Sequence, residues 1–465
     1  MLVCGTAAGE RPSDLMRRRA RSRSLLLVAA LLLAGCSGVG VRPDAFAAAE
    51  AERSAVAEVA TPITGGPQDF APLVAAARSA RFILLGESTH GTHEFYEARG
   101  LITEQLIREA GVGAVAIEGD APQTERVNRY VRGVGDDRSA EQALSAHTRF
   151  PRWMWRNAEF ADFVERLRAH NLAQPPERRV GVYGMDVYAL YEAAEAVTAY
   201  LDRVDPSAAA EVRTHYRCFA RYKIAEAYGL AARSASRSCE KPAEAALARV
   251  RALPMPAEAQ AAEARFAAVR NAASVAGAEA YFRISYGGAY AWNVRDGRMT
   301  ETVEEIAEHV ERVSGRPGRV VVWAHNTHVG DARATEMTRR GELNLGQLLR
   351  QRHGERAFLT GFLTHEGTVM AAPEWDRPGR VYTLRPASRA SYAALLRQAG
   401  LDRALLVFRG RPPVAALTGP RRERAVGVIY LPQEEASAHY FDAELTRQFD
   451  AVAYFDRSRA VTPLP

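Results

Sequence analysis

Residues 81–94 read RFILLGESTHGTHE. The apolar run at the start predicts a strand buried on both faces, and the pattern of residues 94–110 predicts that a helix follows it. Glu87 and His90 lie between the two, where the strand ends. In parallel sheets, polar residues at the carboxyl ends of strands converge on the crevice where ligands bind. The stretch therefore predicts one strand–helix unit of an α/β sheet and, at its junction, a candidate site.

The same alternation of apolar runs and helical patterns recurs along the chain. Further strands are predicted at residues 114–120, 180–186, 319–325, 357–363, 405–408, 426–430 and 451–455. Helices are predicted at residues 123–131 and 190–201. Continuous apolar strands alternating with helices predict an α/β fold with a mostly parallel sheet covered by helices on both faces. We expect one domain over residues 68–460, with a helical insertion at residues 207–277, where the sequence is rich in Ala, Glu and Arg.

Ionisable side chains follow three of the predicted strands. Glu87 and His90 follow the first, Glu118 ends the second, and His325 and His328 follow the strand at residues 319–325. A neutral imidazole held by a carboxylate can take a proton from water, so such a group can hydrolyse a bond without a serine. The alternative is a polar network that only caps the strand ends. Arg99, on the helix after His90, is equally consistent with a surface charge and with a group facing the crevice.

Composition excludes several other classes of function. Lys223 and Lys241 are the only lysines, and the chain has no G-x-S-x-G motif, which argues against Schiff-base chemistry, a phosphate-binding P-loop and a serine nucleophile elbow. The formal net charge is +6, and residues 1–35 contribute four of these charges. The remainder has no basic stripe, so we expect no nucleic-acid partner.

The first 36 residues are typical of an exported protein. A basic run precedes apolar residues 25–33, and Leu33-Ala34-Gly35-Cys36 resembles a bacterial lipobox. This predicts a cleaved signal peptide at residues 1–35, a lipid anchor on Cys36 and a tether over residues 36–67. The protein would then be attached to a membrane of the cell envelope and face the periplasm, unless the leader is an ordinary secretory signal. Met16 is an alternative start.

Cys218 and Cys239 flank a helical segment. An exported chain folds in an oxidising compartment, so we expect the pair to form a disulfide. A catalytic cysteine is the weaker interpretation, because no strand end positions either residue.

Several blocks of the chain together resemble the erythromycin esterase family. They are residues 86–99 (GESTHGTHEFYEAR), 116–120 (AIEGD), 127–131 (VNRYV), 153–157 (WMWRN), 182–186 (VYGMD), 293–296 (NVRD) and 323–328 (WAHNTH). The resemblance extends from about residue 70 to about residue 455. It implies hydrolysis of a small-molecule ester, the lactone ring of a macrolide, by activated water and without a cofactor.

The resemblance also implies roles for individual residues. His90 would be the general base, with Glu87 orienting it or the water, and His325 and His328 would complete the catalytic site. Arg99 and Glu118 would position substrate or stabilise charge. Arg295 and Asp296 belong to a matching block, and Arg295 is expected among the substrate-binding residues, although the residues alone give neither a role.

Two other functions remain open from the sequence. Two H-x-x-H pairs and two glutamates are able to supply three ligands to a divalent metal and leave a position for water, as in a metallohydrolase. The second open function is that of a non-enzymatic envelope lipoprotein that binds haem through a histidine.

Overall fold

A nine-stranded mixed sheet organises the chain, and a separate two-stranded sheet accompanies it. The structure is a computed structural model that describes residues 43–66, 68–285 and 290–465. The predicted signal peptide and Cys36 lie outside the described residues. The strands are β1 (Ala60–Pro62), β2 (Phe82–Leu85), β3 (Ala114–Asp120), β4 (Gly181–Asp186), β5 (Val320–Trp323), β6 (Ala357–Ala371), β7 (Arg380–Leu384), β8 (Arg403–Val407), β9 (Arg421–Arg424), β10 (Tyr440–Ala443) and β11 (Ala451–Ser458).

Helices connect most of these strands. They are α1 (Pro43–Val59), α2 (Ala71–Ala77), α3 (His93–Ala110), α4 (Ala121–Val131), α5 (Ala140–Leu144), α6 (Ala158–Leu172), α7 (Leu190–Val204), α8 (Pro206–Tyr216), α9 (Ala225–Ala232), α10 (Glu240–Arg251), α11 (Ala259–Ser285), α12 (Tyr290–Ser314), α13 (Asn326–Val329), α14 (Leu345–His353), α15 (Tyr392–Gln398), α16 (Ala415–Thr418), α17 (Glu435–Ala438) and α18 (Leu445–Gln448). None of the described helices has both the length and the apolar composition needed to cross a bilayer.

The strand order in the large sheet is β1-β8-β11-β6-β2-β5-β3-β4, with β7 added to the end of β6. The six strands from β11 to β4 run parallel to their neighbours, whereas β8, β1 and β7 pair antiparallel. In β2, Ile83 and Leu85 pack into one apolar layer while Phe82 and Leu84 pack into the other. Successive side chains of a strand point to opposite faces, so both faces of this sheet are covered. The predicted fold class is confirmed.

The strand predicted at residues 426–430 is wrong. Val426 and Ile429 form only isolated bridges, to Thr89 and to Ala372. Val426 exchanges backbone hydrogen bonds with the loop after β2, donating to Ser88 and accepting from His90. Because that loop is irregular, the pairing does not extend into a ladder. The segment instead supports the loop that carries His90.

Part of the segment predicted as a tether is structured, because β1 pairs with β8 at one edge of the sheet. Between β4 and β5, the described residues form helices and no strand. The helical region from α7 to α11 has an apolar core of its own, which includes Leu201, Tyr228 and Val275. A disulfide joins Cys218 to Cys239 within it, with the Cα atoms 5.8 Å apart.

Candidate functional site

Glu87 and His90 form a buried carboxylate–imidazole pair at the carboxyl end of β2. His90 Nδ1 lies 2.7 Å from Glu87 Oε1. Glu87 has no exposed surface, and His90 is 5% exposed. Because Nδ1 is engaged by the carboxylate, Nε2 is the ring nitrogen that remains to exchange a proton. The pair therefore has the arrangement of a general base with a positioning partner.

Arg99 lies behind the pair and contacts Glu87. Its side chain is completely buried and donates through Nη2 to Glu87 Oε2 at 3.0 Å. The guanidinium carbon lies 4.4 Å from the ring centre of Tyr96 and 4.9 Å from that of Trp323. Arg99 therefore neutralises the charge of Glu87 and fixes its second oxygen.

The loops after β2 and β5 are locked together by close backbone approach. Asn326 donates its backbone N–H to the Glu87 carbonyl at 2.8 Å, and its side-chain amide donates to the Phe362 carbonyl at 3.1 Å. A Cβ atom on Gly86 would lie 2.1 Å from Asn326 Oδ1, so only glycine fits there. The same amide donates to the buried carboxyl of Glu423 at 2.8 Å.

His325 lies beside His90, with the ring centres 4.9 Å apart. Its Nδ1 lies 2.8 Å from the Thr327 hydroxyl and 3.3 Å from the backbone N–H of Thr327. With Nδ1 assigned as the acceptor of that N–H, a neutral ring carries its proton on Nε2. Nε2 is buried and has no hydrogen-bond partner among the described residues. Burial and the neighbouring His90 lower the pKa of His325 well below its usual value. The site thus presents a neutral imidazole with an available N–H.

Glu118, on β3, joins the two histidine loops. It accepts the backbone N–H of His325 at 2.9 Å through Oε2, and Arg295 Nη2 at 2.7 Å through Oε1. Burial raises the pKa of Glu118, but His328 and Arg295 outweigh it and hold the pKa well below the usual range. Glu118 is a charged structural centre of the site and is only 6% exposed.

Arg295 and His328 both contact Glu118 and place positive charge beside it. Arg295 holds Asp186 through two bonds of 2.8 Å. His328 Nδ1 lies 2.9 Å from Asp296, and its ring stacks on Trp292 at 4.4 Å. Burial lowers the pKa of His328, but Asp296 and Glu118 outweigh it and raise the pKa to about 9. Asp296 therefore acts through His328, a role that the sequence had not indicated.

The structure brings Glu87, His90, Glu118, His325, His328 and Arg295 into one cluster at the carboxyl ends of β2, β3 and β5. His93 is outside it, because its Nδ1 bonds to Glu159 at 2.8 Å. Sequence reasoning missed Trp292 and Tyr188; the guanidinium carbon of Arg295 lies 5.1 Å from the ring centre of Tyr188. An aromatic residue next to a matching block was the only signal available for either.

The cluster is built for proton transfer and charge stabilisation. Within the residues that the structure describes, no group of three or more His, Cys, Asp or Glu side chains is arranged to hold a metal ion. Most carboxylates of the cluster already engage an arginine or a histidine. An α/β sheet with a carboxylate-held imidazole at its carboxyl edge is an arrangement that general-base hydrolysis uses.

The family model for erythromycin esterase matches residues 107–458, and the chain belongs to the erythromycin esterase family. Family and fold support an esterase- or hydrolase-type function on a small-molecule ester. The matched stretch includes Glu118, Arg295, His325 and His328, whereas Glu87 and His90 precede it.

Solved structures share the fold at low sequence identity. A succinoglycan biosynthesis protein is 19% identical, with a TM-score of 0.73, over 90% of this chain and 99% of its own. A Bacillus cereus protein is 20% identical, with the same TM-score and the same shares of both chains. An erythromycin esterase mutant in its open conformation is 17% identical, with a TM-score of 0.56, over 84% of this chain and 93% of its own.

Proposed function

We propose that the protein hydrolyses a carboxylic ester with water that His90 activates. The observation that carries the proposal is the 2.7 Å bond between His90 Nδ1 and Glu87, backed by the buried guanidinium of Arg99. This arrangement fixes the ring orientation and directs basicity to Nε2. It also stabilises the imidazolium that forms when the ring takes a proton.

The reaction proceeds in two balanced steps. His90 Nε2 removes a proton from water while the water oxygen bonds to the ester carbonyl carbon, giving a tetrahedral oxyanion. The carbon–oxygen bond to the alcohol portion then breaks, and the departing oxygen takes the proton back from His90. The products are a carboxylic acid and an alcohol, and the enzyme returns to its starting protonation state.

The oxyanion needs a donor that is not already engaged. His325 meets this condition, because its Nε2–H lacks a partner in the described part of the chain and its ring centre lies 4.9 Å from that of His90. His325 is therefore assigned as the oxyanion donor.

A macrolide lactone is the substrate class to test first. A lactone is a cyclic ester, and both the family name and one structural relative refer to erythromycin. The lipobox-like sequence that ends in Cys36 supports the further proposal that the enzyme is lipid-anchored in the cell envelope. In that position it would meet such a compound before the compound reaches the ribosome.

The test is incubation of purified protein with macrolides and simple esters, followed by mass spectrometry for the gain of one water. His90→Ala should lower kcat/KM by about 10²- to 10⁴-fold, the usual contribution of a general base. His93→Ala is the matched control, since it removes the same kind of side chain three residues later, at the start of α3 and outside the cluster. A folded His90→Ala protein with wild-type kcat/KM would remove His90 from the mechanism.

Two further measurements separate the alternatives. Activity that is lost with a chelator and restored by a divalent metal would favour a metallohydrolase over water activated by His90 alone. A haem absorbance band in the purified protein, with no turnover of any ester, would favour the binding protein.

A further inference from the structure

A polar cavity lies at the edge of the sheet opposite the candidate active site. It has a volume of about 340 Å³. Gly113 and Val180, which precede β3 and β4, line it together with the last turns of α3 and α12. Because the active-site residues follow the carboxyl ends of the same strands, a ligand in this cavity would not meet the catalytic groups.

The walls of the cavity carry a large excess of positive charge. Five arginines and one carboxylate, that of Glu177, line it: Arg108, Arg132, Arg178, Arg179 and Arg316. Arg108, Arg178 and Arg316 are exposed, and their side chains make no ion pair or hydrogen bond within the described residues. Unpaired guanidinium groups around one opening repel each other, and an anion between them would relieve that repulsion.

The other two arginines are fixed parts of the wall. Arg132 Nη2 bonds to the Tyr183 hydroxyl at 2.9 Å and pairs with Glu263 at 3.2 Å. Arg179 donates to the carbonyl oxygens of Arg132 and Gln174. The cavity therefore has a rigid base, with the unpaired arginines at its rim.

A buried histidine supplies a second, independent feature of the cavity. His309 lines it, is 1% exposed, and stacks on Phe266 with the ring centres 3.9 Å apart. Its Nε2 bonds to Glu263 at 2.8 Å, while Nδ1 is buried and without a partner among the described residues. Burial raises the pKa of Glu263, but Arg132 and His309 outweigh it and lower the pKa to about 2. Glu263 is thus a permanent acceptor for Nε2–H, and Nδ1 is left for a ligand.

We propose that this cavity is a binding site for a small phosphate-bearing anion. Three rim arginines match the several oxygens and the multiple charge of a phosphate better than a single carboxylate would. His309 Nδ1 is able to accept from a P–OH group. The phosphate could belong to a soluble compound or to a lipid headgroup.

Calorimetric titration of the full purified chain with inorganic pyrophosphate tests the site. At constant ionic strength, adjusted with chloride, we expect saturable binding to the wild type. Arg178→Ala combined with Arg316→Ala should weaken it by about tenfold per arginine, because each removes a charge-assisted bond. His309→Gln should weaken it less. Arg411→Ala is the control, since Arg411 is also exposed and unpaired but lies outside the cavity.

Absence of saturable binding, or equal binding by the double variant and the control, would overturn the proposal. Ester hydrolysis should be the same in the double variant as in the wild type. The binding site and the proposed reaction are therefore tested independently. Sedimentation of the full chain carrying Cys36→Ser, which removes the proposed lipid anchor, with phosphatidylglycerol or phosphatidylcholine vesicles identifies the source. Pyrophosphate-sensitive pelleting that the double variant loses assigns a lipid headgroup, and pyrophosphate binding without pelleting assigns a soluble phosphate.

Discussion

At the scale of single residues, the site depends on buried charges that are held in fixed pairs. Glu87 is shared by His90 and Arg99, so the proposed general base and the neighbouring cation contact one carboxylate. A carboxylate in an apolar setting is stable only with such partners. The catalytic geometry and the stability of the fold are therefore linked at this position.

Arg99→Met should leave the carboxylate of Glu87 buried without its cation. Breaking a buried ion pair in this way costs about 3–5 kcal/mol, which urea unfolding would measure. Adding Glu87→Gln should restore part of that stability, because no unpaired charge remains. It should not restore ester hydrolysis, because it removes the carboxylate that holds His90. Strictly additive losses in the double variant would contradict the arrangement.

Glu423 provides a residue-scale test of pH dependence. Burial raises the pKa of Glu423 to about 8, against the opposing hydrogen bond from Asn326. A folded-state pKa above the unfolded value means that the proton stabilises the folded state. That contribution is fully present below the unfolded value of 4.5 and is lost as the pH rises through about 8.

We therefore expect the stability of the wild type to fall between pH values of about 5 and about 8, by on the order of 1 kcal/mol per pH unit. Glu423→Gln keeps a neutral group of the same shape and should flatten this slope in thermal unfolding. The exposed neighbour Glu434 supplies the control, and Glu434→Gln should follow the wild type. Parallel slopes for all three proteins would show that Glu423 is ionised in the folded state.

At the scale of elements, the junction between β2 and α13 determines whether the two histidine loops meet. Gly86 leaves room for Asn326, whose amide and backbone N–H connect the loop after β5 to β6 and to Glu87. The helical region carries a different constraint, the disulfide between Cys218 and Cys239. The contact between Gly86 and Asn326 constrains the site, and the disulfide constrains the helical region.

Gly86→Ala should damage the site more than the fold. The added Cβ would lie 2.1 Å from Asn326 Oδ1, so Asn326 must move and take the His325 loop with it. Overpacking of this kind costs about 1–3 kcal/mol. We expect kcat/KM to fall while circular dichroism stays unchanged. Gly297→Ala is the control, since it lies in α12 with nothing within 4 Å and should be neutral or slightly stabilising.

Cys218→Ser should lower the stability of the protein by about 3 kcal/mol, the chain-entropy value for a loop of this size. The two cysteines are 21 residues apart. A reducing agent should lower the urea midpoint of the wild type and leave that of Cys218→Ser unchanged. Hydrolysis at 25 °C should persist, because neither cysteine belongs to the catalytic cluster. A wild-type midpoint insensitive to reduction would contradict a stabilising disulfide.

At the scale of the whole molecule, strand order is what joins residues distant in sequence. β2 lies between β6 and β5, and β5 lies between β2 and β3. The groups that follow β2, β3 and β5 therefore meet along one edge, although His90 and His325 are far apart in the chain. The chemistry of the site depends on this topology as much as on the residues themselves.

The positions of strands that are buried on both faces could be predicted from the sequence. β2, β3 and β5 are continuous apolar runs, so their positions and the polar residues at their ends could be predicted. β9 reads RRER, so it has no apolar pattern to recognise, and its ladder is with β10. Short edge strands such as β1 gave no signal for the same reason.

Within the site, the sequence indicated which loops would meet but not which side chains would face each other. Arg99 is a charged residue on a mostly buried helix, and its packing against Tyr96 and Trp323 shows that it is enclosed. Asp296 and His328 come from different elements, and their contact depends on how α12 lies against α13. Tertiary contacts of this kind leave no local pattern.

Cys36 carries the last prediction, which concerns where the whole molecule is located. Leu33-Ala34-Gly35-Cys36 follows a basic and apolar leader, as expected of a lipid-modified cysteine. Two or three acyl chains hold a protein on a membrane where a single chain gives only reversible binding. The wild type should therefore pellet with membranes and require detergent for release, whereas Cys36→Ser should not be acylated and should stay in the supernatant. Cys4→Ser, which changes the other leader cysteine, should pellet like the wild type. Equal partitioning of the wild type and Cys36→Ser would mean that the leader does not direct lipid attachment at this residue.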